Sequence, residues 1–258
     1  MEILDKLLLV LPLAILVGVP GYIFFRERMV RRGKTPNDHS GRRVFKLTGI
    51  NLTINSLAAV YFFVIFIILA SKIGFNTTFA ELGLAIFFML TIGVTYYGNG
   101  IYITSIVLED YTMPELRSVP WFKTQFIATH LFHGPISHIL IYSGWLLIFL
   151  ALALLDLSGV PVSKLSTQTL LIIGGALVGA AYAGAQIYNG TAPYQFWVGF
   201  FALALFLTKL LVSGASLAFY PLGLFFISVI ILFETVLSVY FAVVLAKGKK
   251  INWDGSGY

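Results

Sequence analysis

The chain has no cysteine among its 258 residues, and only 11% of those residues are charged. Without cysteine, the chain alone forms no disulfide, thiolate-bound metal site, iron–sulfur centre or thiol nucleophile. It also carries no nucleotide-binding loop, no covalent catalytic signature and no close metal-ligand spacing such as His-Glu-x-x-His. Because 59% of the residues are hydrophobic, there is too little charge to solvate a globule of this size. Most of the surface is therefore expected to face lipid.

Seven apolar stretches are long enough to span a bilayer, since about 20 helical residues cross about 30 Å of hydrocarbon. We expect the spans near residues 5–25, 47–70, 79–108, 135–155, 167–188, 194–213 and 220–246. Before the fourth span, residues 121–133 are also apolar. We interpret them as an interfacial segment that ends at Gly134-Pro135, because proline disrupts a helix interior and suits a helix start. The sequence predicts an all-α integral membrane protein, a single polytopic domain over residues 1–258 with seven transmembrane helices.

The basic residues predict the orientation of this bundle. Eight Lys or Arg residues lie within residues 26–46, and three more follow the last span within residues 247–250. Basic loops favour the cytoplasmic side, so the N-terminus is predicted outside and the C-terminus in the cytoplasm of a cell or plasma membrane. The first span has its basic cluster after it, as a retained anchor does and a signal peptide does not. The net charge of +6 comes largely from these loops, so no nucleic-acid partner is expected.

Small residues mark a packing face on the fifth span. Gly175, Gly179 and Ala183 recur at four-residue spacing, which lets another helix backbone approach closely. The helix that packs there is left open between one in the same chain, another membrane subunit and a second copy of this protein.

Three of the four histidines, His130, His133 and His138, fall within nine residues. An unbroken helix would keep them on one wide face, since successive residues are 100° apart. Imidazoles ligate haem iron, copper or zinc and relay protons, and polar groups in lipid are costly. The alternative is that they are interfacial side chains hydrogen-bonded to headgroups or neighbouring helices. These three are the candidate cofactor-binding residues, and the cofactor stays open between haem and a quinone.

The stretch His138-Ile-Leu-Ile-Tyr-Ser-Gly144 resembles the His-then-Gly helix of membrane cytochromes of the nitrate-reductase gamma-subunit type. That resemblance implies a haem between two helices, which would need a second histidine on another span. The remaining histidine, His39, is predicted in a loop, so this chain alone is not expected to build a bis-histidine site. Mixed metal ligation with the loop acids Glu109, Asp110 and Glu115 is a further alternative, although solvation of the loop explains those acids as well.

Polar residues also occur inside the predicted spans. Glu234 lies near the middle of the seventh span, where a carboxyl group is a functional candidate by default. Lys209 lies near one end of the sixth span and can snorkel to the interface. The third span has a polar stripe that includes Tyr96 and Asn99. A retinal protein is excluded, because the seventh span has no internal lysine.

Two functions remain. The first is a membrane subunit of a larger redox or respiratory-type complex, near a quinone or haem through the histidine segment. The second is a transporter or channel-like protein with an intramembrane polar site around Glu234. Whether the chain is itself an enzyme is left open.

Overall fold

The computed structural model describes residues 3–32, 41–73, 78–108, 119–162 and 167–251, and within these ranges the chain is helical without a β-strand. Seven long helices follow one another along the chain. They are α1 (Ile3–Arg32), α2 (Gly41–Ile73), α3 (Phe79–Val107), α4 (Phe122–Asp156), α5 (Gln168–Tyr188), α6 (Ala192–Ser213) and α7 (Pro221–Ala246). A short 3-10 helix, Leu217–Phe219, precedes α7.

Six of the helices, α2 to α7, contain segments long and apolar enough to cross a bilayer. This confirms the prediction of a multi-pass integral membrane protein. Helix α1 contains Pro12 and Pro20 and is not among the six. It nevertheless packs on the others, because Tyr61 of α2 donates a hydrogen bond to the Leu7 carbonyl at 3.0 Å. A seventh crossing and the orientation of the termini stay predictions.

Helix α4 corrects the expected break at Gly134-Pro135. The chain stays helical from Phe122 to Asp156, and a π-helical turn, Phe132–Ile136, includes the proline. A π turn is wider than an α turn, and it commonly appears as a single insertion within an α-helix. The Ser137 hydroxyl donates to the His133 carbonyl oxygen inside this turn. At 1.5 Å per residue, α4 is about 52 Å long, so one end extends beyond the hydrocarbon core.

The second half of α4 forms the centre of the bundle. Every residue from Ile148 to Leu155 is buried. Aromatic side chains pack around it: Phe149 lies 5.0 Å from Phe62 of α2 and 6.3 Å from Phe225 of α7, measured between ring centroids. Burial of rings against aliphatic side chains therefore joins helices that are distant in sequence.

The small-residue face of α5 packs against α7. A methyl group added to Gly175 would lie 2.6 Å from the Phe225 carbonyl oxygen, and one added to Gly179 would overlap the Val229 carbonyl oxygen. The predicted interface therefore exists and its partner is in the same chain. The expectation of a contact with another subunit or a second copy through Gly175 and Gly179 is wrong, because α7 already occupies that face.

Two buried acids lie at the end of the bundle where α4 stops and α5 and α7 begin. Asp156 accepts hydrogen bonds from the backbone N–H groups of Leu222 at 2.9 Å and Gly223 at 3.1 Å. It therefore satisfies free donors in the first turn of α7 and interacts favourably with the helix dipole. Asp5 of α1 accepts a hydrogen bond from the Thr167 hydroxyl at 2.9 Å, beside the start of α5.

Candidate functional site

The three predicted histidines lie together around the π turn of α4. The His133 ring centroid is 6.3 Å from that of His130 and 6.2 Å from that of His138. Tyr102 of α3 contacts the rings of His133 and His138, with centroid distances of 5.2 Å and 5.3 Å. The expectation that the histidines share one face of a helix is consistent with this arrangement, although a wide turn rather than a regular helix produces it.

Aromatic rings continue the histidine cluster into the bundle. His138 packs on Tyr142 at 5.8 Å, and Tyr142 packs on Tyr182 of α5 at 5.7 Å. The Tyr182 hydroxyl donates to the Tyr142 carbonyl oxygen, while Asn189 donates to the Tyr142 hydroxyl at 2.8 Å. His138 is partly buried, and its Nδ1 atom has no hydrogen-bond partner within the described part of the chain.

The arrangement gives no support to a histidine-held haem or metal. All three histidines belong to α4, and His39 and the acids Glu109, Asp110 and Glu115 lie outside the described residues. Within the described ranges, no group of three or more His, Asp or Glu side chains is placed to hold a metal ion. A haem between two helices would need an axial ligand from a second helix.

A groove with a volume of about 630 Å³ runs between α3 and the first half of α4. Tyr96 and Tyr97 line one end of it, and Ser105, Gln125 and Thr129 supply hydroxyl and amide groups further along. Along α3 the lining runs from Tyr96 to Leu108, the residue that follows the helix, and these 12 helical steps cover about 18 Å. The histidines do not line the groove. They lie on the adjoining face of α4, since the lining residues Thr129 and Phe132 directly precede His130 and His133.

The polar stripe of α3 contacts α2. Asn55 donates a hydrogen bond to the Asn99 side-chain oxygen at 3.0 Å, and the Tyr96 hydroxyl donates to the Asn55 carbonyl at 3.2 Å. The Nδ2 atom of Asn99 is buried and has no partner within the described residues. Tyr96 therefore both contacts α2 through its hydroxyl group and lines the groove.

Glu234 lies 13 residues after the start of α7, near its middle, and faces α6. A methyl group on Gly199 of α6 would overlap the Oε1 atom of Glu234, so the glycine makes room for the carboxyl group. That Oε1 atom is buried and accepts no hydrogen bond from the described residues. Lys209 is ten residues beyond Gly199 on α6, about 15 Å along the helix, so the structure does not bring the two charged residues together.

One polar residue that the sequence did not single out is Gln195 of α6. Its side chain is fully buried, at 0% exposure. The Nε2 atom donates to the Ile139 carbonyl at 3.3 Å and to the Ser143 hydroxyl at 3.0 Å, both on α4, while Oε1 has no partner among the described residues. A lone glutamine within an apolar span was the available signal, but the face of α6 it occupies becomes evident only when the helices are packed.

The site region thus combines three features in one helical bundle: a groove with aromatic and hydroxyl lining, a histidine cluster beside it, and a partly buried carboxyl group between α6 and α7. Comparison of the chain with protein-family models, with curated proteins and with solved structures finds no match. The functional argument therefore depends on the geometry of these residues.

Proposed function

We propose that this protein is a membrane subunit of a redox assembly and that it binds a quinone-class molecule in the groove between α3 and α4. The single observation that carries the proposal is the groove itself. A volume of about 630 Å³ lies within the range of small-molecule sites, about 300–1,000 Å³. Its wall combines tyrosine rings, which suit a flat aromatic head group, with the Gln125 amide and the Thr129 hydroxyl, which suit carbonyl oxygens, whereas the Ser105 hydroxyl already donates to the Ile101 carbonyl at 2.8 Å.

The position of the groove supports an amphipathic ligand. The groove follows the last turns of α3 and the first turns of α4. The length of about 18 Å along α3 suits a head group with part of an apolar tail lying along the helices. Nearby, the nitrogen atoms of the His130 and His133 imidazoles can accept and donate protons, and so can relay them to or from the interface. Reduction of a quinone to a quinol takes up two electrons and two protons, and the electrons would come from a partner redox subunit.

Filling the groove tests this proposal. Gly100 lines the groove, and a Cβ atom added there would meet nothing within 4 Å, so Gly100→Phe places a ring in the ligand space without a clash at Cβ. Gly93 is seven residues earlier on the same helix, has the same open surroundings and does not line the groove. Gly93→Phe is therefore the matched control.

The measurement is the binding of a short-tailed quinone to purified protein, monitored as the rise in melting temperature with quinone concentration. We expect the Gly100→Phe variant to lose at least tenfold in affinity and the control to bind as the unmodified protein does. Equal binding by all three proteins, or no binding to any of them, would refute the proposed ligand site.

A second candidate function is transport through a polar site around Glu234, favoured by the carboxyl oxygen that is buried without a partner. For this function we expect the Glu234→Gln variant to fold normally but to take up no transported solute into proteoliposomes, because glutamine keeps the size of the side chain but cannot titrate. Full uptake by this variant would refute a transport role of the carboxyl group.

A further inference from the structure

Two buried oxygen atoms on neighbouring helices lack hydrogen-bond donors. They are Oε1 of Gln195 on α6 and Oε1 of Glu234 on α7. The orientation of the Gln195 amide is fixed by the Ile139 carbonyl oxygen, which is an acceptor and therefore requires the nitrogen to face it. The amide oxygen of Gln195 is thus a true acceptor without a donor.

The two side chains lie near neighbouring positions on α6, since Gln195 is on that helix and Glu234 of α7 lies against Gly199. Gly199 follows Gln195 by four residues, so the two positions lie one above the other on one helix face, about 5–6 Å apart. The Glu234 carboxyl group lies directly against Gly199. A single water molecule bridges two acceptors that are about 5.6 Å apart, since each of its hydrogen bonds is about 2.8 Å long.

The chemistry of this gap favours a proton as its exchangeable occupant. Each of these two acceptors needs a donor, because an unsatisfied buried polar group is costly in an apolar bundle. A water molecule donates two hydrogens and accepts one, so it can serve Gln195 and a protonated Glu234 together. A hard metal cation takes about six oxygen ligands, whereas this gap presents two unpartnered ones and the nearby Ser143 hydroxyl.

The titratable side chains on the neighbouring helices include Tyr182 of α5 and His138 and Tyr142 of α4, and His138 directly precedes Ile139, whose carbonyl accepts from Gln195. Tyr182 of α5 packs on Phe233, next to Glu234, at 5.3 Å, and Tyr142 of α4 packs on Tyr182. On α6, Lys209 is about 15 Å from Gly199 along the helix. Among the described residues of α4 to α7, Lys209 is the one Lys or Arg side chain between the helix ends, and it is distant along α6, so a proton is the neutralising partner that the proposal assigns to Glu234.

We infer that Glu234 and Gln195 form a proton-binding site that holds one water molecule between α6 and α7. On uptake, a hydronium ion gives one proton to a carboxylate oxygen of Glu234, leaving neutral carboxylic acid and water, and release is the reverse. This site is independent of the groove ligand. It deepens the transport candidate by naming the proton as the transported or coupling species, but proton binding can be measured without any transport.

Infrared difference spectroscopy of the purified protein across a pH titration tests the site. The unmodified protein should show a carbonyl band from a protonated carboxylic acid, which is absent from Glu234→Gln. The matched control is Glu81→Gln: Glu81 is at the start of α3, where its carboxylate accepts from the Thr78 N–H at 2.7 Å. The control should keep the band.

Two further variants keep the test decisive if Glu234→Gln folds poorly. Gln195→Leu removes the second acceptor, and Gly199→Ala pushes a methyl group into the carboxyl position, so each should shift the band or its titration midpoint. Gly184→Ala, where an added Cβ meets nothing within 4 Å, should leave both unchanged.

The replacement of sodium by choline distinguishes the occupants. An unchanged titration supports the proton, whereas a midpoint that depends on sodium would assign the site to a metal cation and overturn the inference. A band that persists in Glu234→Gln, or one that neither Gln195→Leu nor Gly199→Ala moves, would also overturn it. Loss of quinone binding would leave this band in place, so the two proposals fail separately.

Discussion

The contact between α5 and α7 predicts how much one methyl group costs at Gly175. An alanine Cβ there would lie 2.6 Å from the Phe225 carbonyl oxygen and 2.8 Å from the Ser228 Cβ, whereas ordinary contact begins at 3.4 Å. The helices would have to separate by about 0.8 Å, and the carbonyl belongs to a helix backbone that cannot rotate away. Overpacking of this kind costs about 1–3 kcal/mol, so Gly175→Ala should destabilise the protein by that amount.

Gly184→Ala, on the same helix, is the matched control, because it makes the same chemical change without an overpacked contact. At Gly184 an added Cβ meets nothing within 4 Å, so only the helix preference of alanine remains, worth about 0.5–1 kcal/mol in favour of the variant. Because both variants gain this helix preference, they should differ by the overpacking cost, about 1–3 kcal/mol. Equilibrium unfolding in one detergent, with thermal melting as a second readout, measures this difference. Equal stability of the two variants would show that α7 does not pack on α5 at Gly175.

Three other predictions concern separate parts of the molecule. Asp156→Ala should cost about 1–2 kcal/mol of unfolding free energy, because two backbone donors at the start of α7 lose their acceptor, and Asp156→Asn should cost less. A double-mutant cycle of Asn55→Ala and Asn99→Ala should give a coupling of about 0.6 kcal/mol, the average for hydrogen bonds between membrane helices, and additivity would contradict that contact. Single cysteines at the exposed positions Val160 and Lys249 should react with an impermeant reagent from outside and from the cytoplasm respectively, and labelling from the same side would refute the predicted orientation.

Features that depend on the bilayer were predictable from the sequence. Helical spans follow from runs of apolar residues, because every backbone polar group in lipid must be satisfied within a helix or barrel. The small-residue face at Gly175 and Gly179 was also readable, since close approach of two helices requires small side chains. The helix that packs on this face was not predictable, because the other apolar helices offer similar surfaces and only the packed structure shows that it is α7.

The course of the chain at Gly134-Pro135 was mispredicted for a physical reason. Proline lacks a donor and clashes with the preceding turn, which favours a break. In the folded protein one wide turn accommodates it, and the Ser137 hydroxyl supplies a hydrogen bond to the His133 carbonyl. Local sequence gives the cost of proline in a regular helix but not the compensation that tertiary packing makes available.

The environments of Asp156 and Glu234 show why neither acid can be interpreted from the sequence alone. Glu234 lies within an apolar stretch and Asp156 directly follows one, so at either place an ionised carboxylate is costly unless it is paired. The structure gives Asp156 two backbone donors at a helix start, so the fold itself satisfies that carboxyl group. It gives Glu234 a glycine that makes room for the carboxyl group and no donor among the described residues. A carboxyl group that accepts hydrogen bonds from backbone N–H groups of the chain, as Asp156 does, stabilises the fold. A carboxyl oxygen that has no donor in the described part of the chain, as in Glu234, needs an exchangeable partner. The functional inference therefore concerns Glu234 and not Asp156.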